Sequence, residues 1–303
     1  MRVLVVGYGS IGARHARLLT ELGCHTAVVS KREVDFPVTF HDLAIALETD
    51  SPEYVVIANE TNQHQDALLT LVKHDYRGIV MIEKPLFNHY SEPPSHSFKN
   101  IFVAYNLRFH PAIQRLKILL EHERVLSVLA YVGQYLPEWR PSSDYRSCYS
   151  ASVEQGGGVL RDLSHELDYL IWMLGEWESV TAIGGHFSPL EITSDDIFSV
   201  TMTMSLCPIV NLQMNYLDRT GRRFILINTA DHTIEVDLVK GIVTVDHDSE
   251  TFALERDLTY RAMHEAIISG DKRDLCTLQD GSEIMRLIEA VEHSAEGRIW
   301  IKR

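Results

Sequence analysis

Near the N-terminus four apolar residues, Val3-Leu4-Val5-Val6, run directly into Gly7-Tyr8-Gly9-Ser10-Ile11-Gly12. An unbroken apolar run of this kind reads as a buried parallel strand, which the glycines end in a turn. Helical spacing follows at once: Ala13, Ala16, Leu18, Leu19 and Leu22 are apolar, and Gly23 suits a C-terminal cap. A strand, a G-x-G-x-x-G turn and a helix in that order leave few folds open. Gly7 permits the tight turn, Gly9 lets backbone approach a diphosphate, and Gly12 lets the helix lie close on the strand. The helix start, with the N–H groups of Ser10 and Ile11, offers partial positive charge to the phosphates of a dinucleotide.

The segments that follow keep the same grammar. A strand at 25–29 is followed by a short helix at 40–47, a strand at 54–58 and a helix at 65–74. Strands at 79–83 and 101–105 complete a β-α-β-α alternation, the pattern of a doubly wound parallel sheet. After a helix at 111–122 the pattern changes. Strand-like runs at 126–131, 180–184, 198–204, 209–216, 223–228, 233–237 and 242–246 come with one helix, 159–174, among them. Strands in succession imply an antiparallel sheet, so the expected fold is α/β: a Rossmann domain at 1–110, then an α+β domain at 111–303 with a mostly antiparallel open sheet. A last helix at 281–293 is a candidate to pack back on the first domain.

The second strand ends in Ser30-Lys31-Arg32, where a dinucleotide fold usually carries an acid for the adenosine ribose. A hydroxyl and two cations suit a 2′-phosphate instead, so NADP is the expected cofactor and NAD the alternative; an ordinary solvated turn with Glu33 is the plain reading. A formal net charge of -14 over 303 residues argues against nucleic acid. Four scattered cysteines, Cys24, Cys148, Cys207 and Cys276, form no CxxC pair, so neither a disulfide framework nor a metal site is expected and a reducing cytoplasm fits. No apolar run reaches membrane-spanning length.

Together the motifs resemble a known family, the two-domain sugar dehydrogenases that include glucose–fructose oxidoreductase and inositol dehydrogenase. The resemblance rests on the glycine turn, Ala58-Asn59 with His64, Glu83-Lys84-Pro85, Tyr105-Asn106 with Arg108-Phe109, Gly156-Gly157-Gly158 with Asp162 and His165, and Ser294 to Arg298. It implies hydride transfer between a nicotinamide and a sugar or nucleotide-sugar carbon. It also implies that Asn59, His64, Glu83 and Asn106 line the cofactor, and that Pro85 is cis. Lys84, one residue beyond a strand end, can donate to a substrate hydroxyl and stabilise the developing oxyanion.

Within 159–174, Leu163, Leu167, Leu170 and Leu174 make an apolar stripe; Asp162, His165, Tyr169 and Trp172 fall on the other side and are expected to line one cleft. The glycine triplet before them leaves room for a flat ligand. His165 is the candidate acid/base, its ordinary pKa lying near working pH, and Asp162 would orient it or bind a sugar hydroxyl. Relatives often carry the acid four residues before the histidine, where this chain has Arg161. Arg161, Tyr169, Arg108, Tyr135, Trp139, Arg140 and Tyr145 are the candidate substrate-binding residues, because aromatic rings stack on sugars and arginine binds carboxylate or phosphate. Arg108 could instead tie the two domains, and the loop 135–149 could be a plain surface connection. A homodimer or homotetramer is expected, since open sheets seek partner sheets. Two other readings stay open: a sugar-acting enzyme whose bound NAD is recycled within each turnover, and a dinucleotide-binding sensor without catalysis.

Overall fold

The computed structural model describes residues 1–139 and 144–303. Contacts divide the chain into two units, Met1–Phe109 with Asp257–Met285, and His110–Arg256 with Arg286–Arg303. The sequence reading cut the chain once, at 110/111; the contacts also assign Asp257–Met285 to the first unit.

In the first unit β1 (Arg2–Val6), β2 (His25–Val29), β3 (Thr39–Phe40), β4 (Tyr54–Ile57), β5 (Ile79–Ile82) and β6 (Asn100–Val103) pair in parallel in the order β6-β5-β4-β1-β2-β3. Cys276–Thr277 adds an antiparallel edge beside β6. Helices α1 (Ser10–Glu21), α2 (Leu43–Asp50) and α3 (His64–Lys73) cross between strands. The order reverses at β1, so the crest beyond β1 and β4 is the switch point where such sheets bind ligands. Val3, Val5, Val28, Val56 and Met81 share one core with Ala16 and Leu19 of α1 and with Met263 and Ile267 of a returning helix, Leu258–Ser269.

Two expectations change here. Thr39–Phe40 is a strand, and α2 starts only at Leu43, because Asp42 caps it by accepting from Ile45 N at 3.0 Å. The returning helix was not anticipated at all: its buried face carries His264 between Met263 and Ile267, which interrupts the apolar stripe that announces a helix.

The second unit is a nine-stranded sheet. Strands β7 (Val125–Gly133), β8 (Trp177–Gly185), β9 (Ile197–Met204), β10 (Cys207–Asn215), β11 (Arg222–Thr229), β12 (Thr233–Asp237), β13 (Ile242–Val245) and β14 (Asp248–Thr251) lie in the order β14-β13-β12-β11-β7-β10-β9-β8, with Ile301–Lys302 outside β8. Among the described residues of this sheet only β7 and β10 pair in parallel. Side chains alternate between its faces. Ile225, Ala130, Leu212, Val200 and Ala182 stand in a buried row across five strands, and Leu226, Leu129, Asn211, Thr201 and Thr181 form the partly exposed row beside it. Helix α4 (Pro111–Leu120) packs on β12 and β13. The expected helix 159–174 is two helices, α5 (Val159–Asp162) and α6 (His165–Leu174). Ser164 N bonds Arg161 O and Glu166 N bonds Leu163 O, so the chain tightens to three-residue turns at the join and the helical phase is lost.

The glycine turn shows why its spacing matters. Gly7 has φ +97°, and a Cβ there would lie 2.6 Å from Asn59 backbone. A Cβ on Gly12 would lie 2.0 Å from the Gly7 carbonyl oxygen, whereas one on Gly9 would meet nothing within 4 Å. Gly12→Ala should therefore cost about 3 kcal/mol of stability, and Gly9→Ala should stay within about 1 kcal/mol of the parent. Chemical unfolding of the two variants checks this; equal losses would contradict it.

Candidate functional site

The crest of the first unit gathers most of the residues singled out for the cofactor. Gly7 N donates to Val29 O at 2.9 Å and Ala58 N to Val6 O at 2.8 Å, which closes the turn between the ends of β2 and β4. Helix α1 begins at Ser10 without a capping side chain and with no acid in its first turn, so the N–H groups of Ser10 and Ile11 face no carboxylate of their own helix. Asn59 Nδ2 reaches Gln63 O at 3.4 Å, while Asn59 Oδ1 is buried with no hydrogen-bond partner among the described residues. A buried acceptor left unsatisfied is costly. A ribose hydroxyl or an amide N–H would satisfy it, and the open space at Gly9 beside an uncapped helix start suits a diphosphate. These residues fit a dinucleotide.

Past β2 the turn is divided. The Ser30 hydroxyl accepts from Arg32 N at 3.1 Å and donates to Arg32 O at 2.9 Å, so Ser30 builds the turn and is not presented to a ligand as expected. Lys31 and Arg32 are exposed, and neither side chain has an ion pair or hydrogen bond among the described residues. Glu33 is 98% exposed and lies 3.8 Å from His41.

His64 is buried, with Nδ1 at 3.2 and 3.1 Å from the carbonyls of Pro85 and Leu86 and Nε2 at 3.2 Å from that of Asn59. Burial holds its pKa below the usual value. The ring lies between the Asn59 loop and the cis Lys84–Pro85 turn, and as a neutral imidazole it donates to one of the two. Glu83 accepts from Lys84 N at 3.1 Å through Oε2 and lies 2.7 Å from His15 Nε2 through Oε1. Asn106 Nδ2 donates to Thr259 Oγ1 at 2.6 Å. Arg108 is 2% exposed and donates to Asp280 at 3.1 Å and to Leu275 O at 3.4 Å. A guanidinium this deep needs a carboxylate. Arg108 thus anchors the returning segment within its own unit.

The second unit holds the other candidates. Asp162 is buried and its Oδ2 accepts the Tyr216 hydroxyl at 2.7 Å; Trp139 meets the Tyr216 ring edge-on at 5.2 Å, and its own buried Nε1 has no hydrogen-bond partner among the described residues. His165, one turn on, is buried as well. The anticipated shared cleft does not extend further. Tyr169 is fully buried and donates to Glu166, whose carboxylate takes Arg223 at 2.6 and 3.0 Å. The Lys117 ammonium lies over the Trp172 ring at 3.7 Å. Arg161 pairs with Glu292 at 2.5 and 3.2 Å, which balances its charge inside the unit. The room at the glycine triplet is filled by the chain itself: a Cβ on Gly157 would lie 2.1 Å from Tyr149 O, and one on Gly158 2.2 Å from Asp195 Oδ1. Tyr135 carries Arg219 over its ring at 4.2 Å, the Tyr145 hydroxyl accepts from Glu191 N at 3.2 Å, and Arg140 lies outside the described residues.

Sequence reading missed His15, His264, Asp195 and Tyr216. Asp195 accepts from Leu160 N at 3.0 Å, and burial pushes its carboxyl up to about 6. A raised carboxyl favours the native state at low pH, and this contribution is lost as pH rises through 6. Asp195→Asn keeps an acceptor for Leu160 and removes the charge. The variant should match the parent near pH 4 and exceed it at pH 7.5 by on the order of 3 kcal/mol. Urea unfolding at both pH values reads the gap; a gap independent of pH would acquit Asp195.

Comparison with known proteins follows the same division of the chain. Residues 1–96 match the model of an oxidoreductase family with an NAD-binding Rossmann fold, and residues 113–244 match the model of the GFO/IDH/MocA C-terminal domain. Levoglucosan dehydrogenase of Pseudarthrobacter phenanthrenivorans is 28% identical over 143 residues, 44% of this chain and 36% of that protein, so the match spans about a third of the relative's length. Among solved structures, the WlbA dehydrogenase of Bordetella pertussis in complex with NADH and UDP-GlcNAcA superposes with a TM-score of 0.82 at 19% identity, covering 100% of this chain and 98% of that one. Levoglucosan dehydrogenase in complex with NADH and L-sorbose does so with a TM-score of 0.82 at 14% identity, again covering 100% and 98%. The fold is shared throughout, and with both halves matched by its models the chain belongs to the Gfo/Idh/MocA family of oxidoreductases.

Proposed function

We propose that this protein is an NAD(P)-dependent dehydrogenase that moves hydride between nicotinamide and a carbon of a sugar or nucleotide sugar. The observation that carries the reading is the crest beyond β1 and β4. There an uncapped helix start and open space at Gly9 after β1, and the unsatisfied Asn59 oxygen after β4, lie at the same end of the sheet as Glu83-Lys84-Pro85 after β5. The relatives support the substrate class, since the solved complexes named above hold a sugar or a UDP-sugar together with NADH.

A bound nicotinamide supplies the hydride donor or acceptor. Lys84 donates a hydrogen bond to the oxygen on the reacting carbon and stabilises the negative charge that gathers there. His165 takes up or returns the hydroxyl proton. Asp162, held by Tyr216, binds a neighbouring sugar hydroxyl or orients His165. Trp139 and Tyr135 offer ring faces to the sugar. Lys31 and Arg32, exposed and without acidic partners, bind the 2′-phosphate of NADP. The exposed row of the second sheet, including Leu129 at 43% exposure, meets a second copy in a homodimer or homotetramer. The four cysteines stand as free thiols, which suits a reducing cytoplasm.

Cofactor-stripped protein titrated with NADPH and NADH, followed by fluorescence, tests the site; binding of neither would end the dehydrogenase reading. Arg32→Ala should weaken NADPH by on the order of tenfold and leave NADH unchanged; equal losses would remove the phosphate contact. Lys84→Met should cut turnover of whichever keto-sugar the parent reduces by on the order of 10²–10³-fold at nearly normal NADPH affinity. Loss of NADPH absorbance measures that, and unaltered turnover would take Lys84 out of the chemistry.

A further inference from the structure

Behind Glu83 the core of the first unit contains a file of polar side chains that the reaction does not account for. Glu83 Oε1 lies 2.7 Å from His15 Nε2, His15 Nδ1 lies 2.8 Å from His264 Nε2, and His264 Nδ1 lies 3.1 Å from the Tyr54 hydroxyl. His15, His264 and Tyr54 are each 0% exposed and Glu83 is 7% exposed. Four elements contribute: α1, the end of β5, β4 and the returning helix. Buried polar groups on this scale are retained only when every one is satisfied.

The proton positions follow from the chemistry of the groups. A carboxylate only accepts, so His15 Nε2 carries a hydrogen toward Glu83. A neutral His15 then accepts at Nδ1, which puts a hydrogen on His264 Nε2. Neutral His264 accepts at Nδ1, so the single Tyr54 hydroxyl proton goes to this nitrogen at 3.1 Å in preference to Met81 Sδ, a weaker acceptor at 3.4 Å. Burial, and then the facing His15, hold the His264 pKa well below its usual value, and burial keeps the Tyr54 proton in place. Every donor points the same way, and the file ends at Tyr54 beside Met81 Sδ at 3.4 Å, which is itself fully buried. With no exit to water it is a fixed support and not a route for protons.

We propose that Tyr54, His264 and His15 form a one-way hydrogen-bond relay that locks the Glu83 carboxylate against the backbone N–H of Lys84, making them positioning residues for the lysine. Glu83 Oε2 accepts that N–H at 3.1 Å, so the relay fixes the first peptide of the turn from which the Lys84 side chain leaves. The catalytic consequence rests on the role given to Lys84 above; the relay itself does not.

The test begins on cofactor-free protein carrying ¹⁵N-histidine. Two-bond ¹H–¹⁵N spectra at pH 7 should show His15 and His264 both as neutral Nε2–H tautomers; an Nδ1–H tautomer or an imidazolium at either would overturn the relay. Hydrogen exchange then reads the far end. In His264→Leu the Lys84 amide should exchange at least tenfold faster while the Val56 amide stays unchanged, and His264→Gln, which can still donate to His15, should restore most of the protection. Equal acceleration at Lys84 and Val56, or no acceleration at Lys84, would overturn the proposal. Should His264→Leu fail to fold, Tyr54→Phe, which removes only the last donor, carries the same exchange measurement. Turnover is read last: with Lys84 in the expected role, kcat of His264→Leu falls about tenfold at unchanged NADPH affinity. An inactive parent with the expected tautomers and exchange would reject the dehydrogenase reading and keep the relay; an active parent with the wrong tautomers would do the reverse.

Discussion

The carbonyl oxygen of Gly7 occupies the place that a side chain at residue 12 would need. That one approach lets α1 start directly over the end of β1, and the rest of the crest is arranged around it. Asn59 lies against Gly7, His64 joins the Asn59 loop to the Lys84–Pro85 turn, and Glu83 joins that turn to α1 through His15. Backbone contact at a glycine cannot relax as a side-chain contact can, so the loops inherit a narrow set of positions. A site that must hold two reactants within a few tenths of an ångström benefits from such supports.

Charge is handled in the same way in both units. Arg108 answers Asp280, Arg161 answers Glu292, and Arg223 answers Glu166, in each case with at least one partner buried. Breaking such a pair leaves a stranded charge, so each of these arginines has a structural duty. Lys31 and Arg32, whose side chains have no partner among the described residues, are on the surface where a ligand can meet them.

Periodicity and turn chemistry made the strands and the division of labour between the two sheets legible, because an apolar run or an alternation reports directly on burial. Strand 233–237 matches its expected bounds, and the parallel order follows from the βαβ grammar. What stayed hidden involves polar groups in the core. The helix Leu258–Ser269 was invisible because His264 stands in its buried stripe, and the break at Leu163–Ser164 because leucine spacing runs through it undisturbed. Site residues show the same limit. Residue type marked Arg108, Arg161 and Tyr169 as ligand contacts, yet Asp280 lies 172 positions from Arg108 and Glu292 lies 131 from Arg161, while Glu166, the partner of Tyr169, is itself bound by Arg223, 57 positions away. No local pattern announces such pairings.

The first unit is discontinuous: Met263, Ile267 and Leu275, which complete its core, follow residues 110–256 in the chain. During synthesis the Rossmann sheet must wait for those residues, roughly 10–30 s at ordinary elongation rates. Through that interval Val3, Val5 and Met81 lack part of their cover, and His15 lacks His264. The nascent half-domain is therefore the form most exposed to chaperones and to aggregation, and the dinucleotide crest matures only after strands β7 to β14 have been made.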